Sequence, residues 1–327
     1  MNKRVFSFII TSAALLVLFF AAVNTGSLKV GFGELYRGLF VRYDENVATI
    51  YDLRFPRIFI AMTGGAATAV SGVLLQAVMK NPLADPGIIG VSSGATFTAV
   101  IVTAFFPTLF FMVPTFAFMG GMTAFVLVYS LSYNAGLNPL RMILVGVAVS
   151  AVFTGLMSAF NSGTGNTYSG AASIVNANIT MKTWTDFRVL AIYAVAGLTA
   201  SLFVLGQCNL LALEDKTARS LGVNVTKSRI TVSVVAVLLA SISTAIIGAI
   251  GFLGLVVPHI ARLLVGNNHK VLVPYTMLLG AFTLLLADTV GRTVAAPYEI
   301  SASVIMSVIG GPCFIFLLRR SRHRYGK

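Results

Sequence analysis

Asp288 stands alone among acidic residues in the apolar run 271–291, and Arg292 follows it four positions later. A carboxylate at mid-membrane depth costs a few kcal/mol or more and reads as functional by default. A guanidinium one helical turn on also makes a simple i,i+4 ion pair. Proton coupling and a structural pair are both open on these residues. Arg54 and Arg57 flank Pro56 in LRFPRIF. If the helix carrying Asp288 packs beside the one that opens here, Arg54, Arg57 and Arg292 gather at one membrane face. Arginine suits bidentate capture of a partner's carboxylates, and it equally suits anchoring among lipid headgroups.

A second group lies in the segment 213–229, LEDKTARSLGVNVTKSR. Glu214 and Asp215 favour a helix N-terminus, and Gly222 favours its end. Between them Ala218 and Leu221 are expected on one face, giving a short interfacial helix with a small apolar patch. It is either a docking knob for a cytoplasmic partner or a solvated connector.

Other chemistries are missing from the chain. There is no G-x-x-x-x-G-K-[ST], so no P-loop, and no H-E-x-x-H or nucleophile elbow. His259, His269 and His323 are scattered and read as structural or interfacial, with His259 placed at a helix start behind Pro258. Cys208 and Cys313 lie far apart and read as two buried thiols, with no disulfide framework or metal spacing.

The elements that position these residues are membrane helices. Of 327 residues 57% are hydrophobic and 10% charged, with mean hydropathy +0.89. Soluble domains carry about 25% charged residues, and about 20 apolar residues cross a bilayer. The class is all-α integral membrane, one domain over 1–327, with about ten spans. They are expected near 5–25, 56–79, 88–106, 111–131, 140–161, 187–207, 229–249, 258–266, 271–291 and 301–318. The eighth is too short to cross alone. It opens at Pro258 after a Gly-rich run, as a broken helix near a pathway would. External loops are expected at 26–55 and 162–186. With both termini cytoplasmic, 15 of the 23 Lys and Arg fall inside, and the net charge of +13 is read as this topological bias rather than as a nucleic-acid surface. The centre of the bundle is the stretch 53–93. Ala61, Gly65 and Ala69 form one small-residue stripe with Gly64, Thr68 and Gly72 beside it, which lets neighbouring backbones approach closely.

Five ordered stretches carry a family resemblance: LRFPRIF, SGVLLQAVMKNPLADPGIIGVSSGA, EDKTARSLGVNV, GFLGLVVPHIARLLVG, and LLADTVGR with PYEI. Together they resemble the iron-siderophore, haem and cobalamin family of ABC importer permeases, over Arg54 to Leu318. The resemblance implies the fold of a type II ABC importer permease in a bacterial inner membrane. Its implied partners are two cytoplasmic ATPase subunits, a second permease copy or paralogue, membrane lipid, and an extracytoplasmic solute-binding lipoprotein or periplasmic protein. ATP and Mg²⁺ would sit on the ATPase, with no cofactor on this chain. By position, Arg54, Arg57 and Arg292 match arginines that receive the binding protein's glutamates. Glu214, Asp215, Ala218, Arg219, Leu221, Gly222 and Val223 match the ATPase coupling helix. Asn81 and Leu83 match the cytoplasmic gate loop. Ser150, Thr154, Ser301, Ser303 and Ser307 are candidates for the pathway wall.

Two places depart from the pattern. Ile174 to Trp184 replaces a Trp-x-x-Gly-Ser motif, and Pro139 and Leu140 replace small hydroxyl residues opposite the gate. The run ITMKTWTD favours iron cargo over cobalamin, so the expected cargo is a ferric siderophore, with haem or cobalamin as alternatives. An ion-driven secondary transporter built on Asp288 is the reading from another class.

Overall fold

The computed structural model describes residues 3–25, 30–132, 139–164, 174, 177–296 and 298–325. All regular structure among them is helical: α1 (Lys3–Val23), α2 (Phe32–Phe40), α3 (Glu45–Leu53), α4 (Phe55–Val78), α5 (Val91–Phe105), α6 (Val113–Ser132), α7 (Pro139–Thr164), α8 (Trp184–Phe203), α9 (Leu205–Leu211), α10 (Asp215–Ser220), α11 (Val225–Ile247), α12 (Leu253–Val265), α13 (His269–Val294) and α14 (Ala302–Tyr325), with a 3₁₀ turn over Pro107–Met112. Seven helical stretches are long and apolar enough to cross a membrane, and three shorter apolar helices, α5, α12 and the start of α14, accompany them. Each expected apolar stretch is therefore helical. Within the stretch 26–55 lie two short helices, α2 and α3, and residues 26–29 and most of 165–176 lie outside the described residues.

α4 is the centre. Of its 24 residues only Phe59, Met62 and Thr63 escape full burial. It packs on α8, α11, α12 and α13. The expected small-residue stripe is what permits this. A Cβ on Gly65 would lie 2.4 Å from the Gly280 carbonyl oxygen of α13, and one on Gly72 would lie 1.9 Å from that of Gly254 in α12. Beside the stripe, Ser71 Oγ donates to the Ala236 carbonyl at 2.6 Å, and Ser243 Oγ donates to that of Gly64 at 3.0 Å while meeting Thr68 Oγ1 at 2.7 Å. Such bonds hold membrane helices together where hydrophobicity cannot.

The break before α12 lies elsewhere than expected. α11 ends at Gly248 (φ +77°), and α12 begins after Phe252, itself left-handed at φ +64°. Pro258 is thus the sixth residue of α12, not the first, and His259 lies inside the helix. A proline there cannot donate to the carbonyl four residues back, Gly254. Gln76 Nε2 of α4 donates to that carbonyl at 3.3 Å, so the interior proline is tolerated. Phe252 fills a notch at Gly310 of α14, where a Cβ would lie 2.6 Å from the Phe252 Cβ.

Both faces farthest from α4 are apolar and open. α7 exposes Leu144, Val147, Val152 and Leu156, and α14 exposes Val304, Val308, Ile309 and Ile315.

Gly72→Val should cost about 3 kcal/mol or more, because the clash is with backbone and overpacking of this kind cannot relax through a rotamer. Gly155→Ala in α7, where nothing stands within 4 Å of the new Cβ, should change little. Melting temperatures of the two purified variants check this.

Candidate functional site

At one end of α4, the third residue of the helix, Arg57, reaches across to α13. Its Nη2 lies 2.8 Å from Asp288 Oδ1, its Nε 3.1 Å from both Asp288 oxygens, and its Nη1 2.9 Å from Glu299 Oε2. Arg292, one turn along α13, sets its Nε 3.2 Å from Asp288 Oδ2, off the hydrogen-bond line. Glu299 also accepts from Thr180 Oγ1 at 2.7 Å. Two guanidiniums thus face two carboxylates. The side chain of Asp288 is 1% exposed, those of Arg57 and Arg292 9% and 7%, and that of Glu299 39%. Burial pushes the Glu299 carboxyl up, but the Thr180 and Arg57 hydrogen bonds outweigh it and hold it below its ordinary value. Arg54 stands half-buried beside the cluster and donates to the Val23 carbonyl.

Packing of α13 against α4 does gather the three expected arginines. Arg57 and Arg292 are buried there against carboxylates of their own chain. The Asp288–Arg292 pair is present, and Arg57 joins it. Glu299 was missed as part of the site. Its signal was available, as a lone carboxylate in the short connection 295–301 at the end of the bundle that holds three arginines. Beside it opens a cavity of about 330 Å³ lined by Asn178, Thr180, Glu299, Ile300, Ser301 and Val304.

The hydroxyl residues expected along a pathway fall into two groups. Ser301 Oγ meets Ser303 Oγ at 2.9 Å, and the exposed Ser307 donates back to the Ser303 carbonyl, also at 2.9 Å. On α7, Ser150 Oγ donates to the Gly87 carbonyl at 3.3 Å, and Thr154 is exposed. The two helices have different neighbours, α7 packing on α5 and α6, and α14 on α12 and α13. The side chains of Pro139, Leu140 and His323 lie outside the described residues.

At the opposite end of α4 the chain folds into two tight turns. Asn81 Oδ1 accepts from Leu83 N at 2.9 Å, and Asp85 Oδ1 accepts from Gly87 N at 2.8 Å. Asn81 and Asp85 are both buried, and Asp85 Oδ2 has no hydrogen-bond partner. Burial pushes the Asp85 carboxyl up to about 6 against the opposing pull of the Gly87 and Ile88 N–H groups.

α10 lies against this loop. Asp215 receives Lys80 Nζ at 2.7 Å and Arg229 Nη2 at 3.0 Å. The Lys80 hydrogen bond and the Arg229 charge hold its carboxyl below the usual range. The helix begins at Asp215 and stops at Gly222, φ +79°, as expected. The expected shared face of Ala218 and Leu221 is corrected. Ala218 is buried at 1% exposure, and Leu221 points outward at 63%. The outward surface is Leu221 with Glu214, Lys216 and Arg219, and Val223 is half-buried behind it. Elsewhere, His269 Nδ1 lies 2.8 Å from Asn209 Oδ1 at the start of α13, a structural contact, and Cys208 is buried while Cys313 is only half so.

Two outcomes follow from these ends. Asp288→Asn leaves two buried guanidiniums facing only Glu299 and should destabilise the protein by about 3–5 kcal/mol, read by thermal or denaturant unfolding in detergent. Asp85 has a folded value raised above its unfolded one, so its contribution to stability is full below about pH 4 and is lost as pH rises through about 6. Asp85→Asn should therefore raise the melting temperature at pH 7.5 and flatten its slope between pH 5 and 7.

Residues 14–320 match the FecCD transport family. The chain is 39% identical over 321 residues, covering 98% of each chain, to the "Probable heme-iron transport system permease protein IsdF" of Staphylococcus aureus strain Newman. Among solved structures it is similar to a metal-chelate type ABC transporter in an inward-facing conformation, at TM-score 0.80 and 29% identity, covering 95% of this chain and 98% of the other. It also shares its fold with PsaBC from Streptococcus pneumoniae, solved with a Fab, at TM-score 0.60 and 15% identity over 88% and 95% of the two chains. A buried helix closed on its neighbours by glycine, with an ion cluster at one end and a stapled loop under a short helix at the other, is thus the build of a type II ABC importer permease, and the chain belongs to the FecCD transport family.

Proposed function

We propose that this chain is the membrane permease of an ATP-driven importer that takes up an iron chelate delivered by a solute-binding protein. The observation that carries the reading is the end-to-end similarity to a haem-iron permease, with 98% of both chains aligned. That relative's name favours haem over a ferric siderophore as cargo. In this reading the Arg57 end faces outward and the α10 end faces the cytoplasm, with both termini inside a bacterial inner membrane.

The physical division of labour follows. The outward surface of α10 offers Leu221 as an apolar tip within a charged rim, which suits insertion into a cleft of one of two ATPase subunits, the second being met by the second permease. The open apolar faces of α7 and α14 suit a second permease copy or paralogue, with lipid covering the remainder. The hydroxyls Ser150, Thr154, Ser301, Ser303 and Ser307 would then line a wall that binds weakly, as suits a bulky cargo already chelated. No cofactor is required on this chain, and nucleotide would be spent on the ATPase.

Docking of the binding protein is assigned to the Arg54–Arg57–Arg292 end, with a refinement. Arg57 and Arg292 are held by Asp288 and Glu299, and Arg54 stands half-buried beside them, so a substitution at Arg54 changes the charge of this end without opening the buried pairs. The secondary-transporter reading needs Asp288 free to take and release a proton. Arg57 and Arg292 both stand at ion-pair distance from it and occupy it, which speaks against that role.

Proteoliposomes holding the chain with its cognate ATPase and binding protein should accumulate hemin or a hydroxamate ferric siderophore only with ATP. Uptake by the chain alone along a proton gradient would overturn the reading. Arg54→Glu should weaken binding-protein affinity roughly tenfold, since a like-charge contact costs more than 1.4 kcal/mol, and titration of the binding protein onto the purified complex reads it. Arg57 is unsuitable for that test because reversing it also breaks the buried cluster.

A further inference from the structure

α4 and α10 end with the same backbone motif. In α10, Val223 N donates to the Ala218 carbonyl at 3.1 Å and Gly222 N to that of Arg219 at 2.9 Å. In α4, Asn81 N donates to the Gln76 carbonyl at 3.2 Å and Lys80 N to that of Ala77 at 3.4 Å. This termination needs a left-handed residue after the helix, and glycine fills the position without a Cβ penalty. α10 uses Gly222 there. α4 uses Lys80, at φ +48°. A long side chain is held at a position where glycine would be the relaxed choice, so the side chain itself requires an explanation.

That side chain runs to α10. Lys80 Nζ donates to the Leu213 carbonyl and to Asp215 Oδ1, gripping both the connection into the helix, two residues before its start, and its first residue. Stability does not account for the contact. The two side chains are 31% and 38% exposed, and an ion pair so placed contributes little. Position does. Directly after Lys80 come the Asn81 and Asp85 turns, closed by their own side chains, with Ile89 N returning to the Asp85 carbonyl at 3.0 Å. A loop pinned in this way moves as a piece. It then bears on α7: Ser150 bonds the Gly87 carbonyl, and a Cβ on Gly146 would stand 2.7 Å from the Ile88 carbonyl oxygen.

We propose that Lys80 is a positioning residue that transmits displacement of α10 into the 79–90 loop and through it to α7. The inference rests on the ATP-driven reading above. It adds the link by which that drive reaches the gate residues Asn81 and Leu83. Arg229, pairing with the same carboxylate from α11, holds Asp215 in place from the other side.

The test uses Lys80→Gly, which fits the backbone better than the residue it replaces and so should keep or raise the melting temperature. In a chain carrying C208A, C313A and L83C, assembled with its cognate ATPase, the rate of N-ethylmaleimide labelling at position 83 is measured with and without ATP. With Lys80 present, ATP should change that rate. Lys80→Gly should shrink the change several-fold, and Lys80→Arg should retain most of it. A full ATP response in Lys80→Gly overturns the inference and leaves the importer reading standing. A lowered melting temperature in that variant assigns Lys80 to stability and also counts against it. No ATP response with Lys80 in place overturns the ATP-driven reading and the inference with it.

Discussion

The fold depends on backbone-to-backbone contact along one helix. Within a bilayer, apolar side chains gain nothing by leaving lipid for protein, so close packing and hydrogen bonds must hold helices together. α4 meets that constraint by omitting side chains where its neighbours cross. At Gly65 it touches the backbone of α13 and at Gly72 that of α12. Those two approaches bring Arg57 within reach of Asp288 at one end and Gln76 within reach of Gly254 at the other. The ion cluster and the support under Pro258 are both consequences of where α4 has no Cβ.

The same helix therefore connects two ends of different character. Around Arg57 the charges balance, with Asp288 nearly sealed from solvent. A buried pair of this kind adds little net stability, yet opening it by removing one partner is costly. Its effect is to fix how α4, α13 and the connection to α14 sit together. Around Lys80 the contacts are half-exposed and individually weak, and the turns beyond are closed by short side chains. One end is sealed, and the other is held by half-exposed contacts.

Much of this was legible in the residues. The i,i+4 spacing of Asp288 and Arg292, the small-residue period of α4 and the acidic start and glycine stop of α10 each dictate local structure, and each was found. What failed required knowledge of neighbours. Pro258 looked like a helix start because proline suits a first helical position behind a Gly-rich run, whereas its interior place depends on a contact from another helix, that of Gln76 with the freed carbonyl. Ala218 and Leu221 are spaced to share a face, but the helix ends between them, so Leu221 turns outward. The gathering of three arginines at one face was expected from helix packing alone. That Glu299 would neutralise Arg57 depends on how a short connection folds back, which no periodicity encodes.

Phe252 bears on how α14 is held. Its ring is seated at Gly310 and Gly311, two adjacent positions of α14 without a side chain to obstruct it. The arrangement works as a key in a slot. If α14 spun about its own axis, the slot would turn away and neighbouring side chains would be driven into the ring. A swing about the slot keeps the key engaged throughout. The seat of α14 is therefore set by a single aromatic residue at the broken point of another helix.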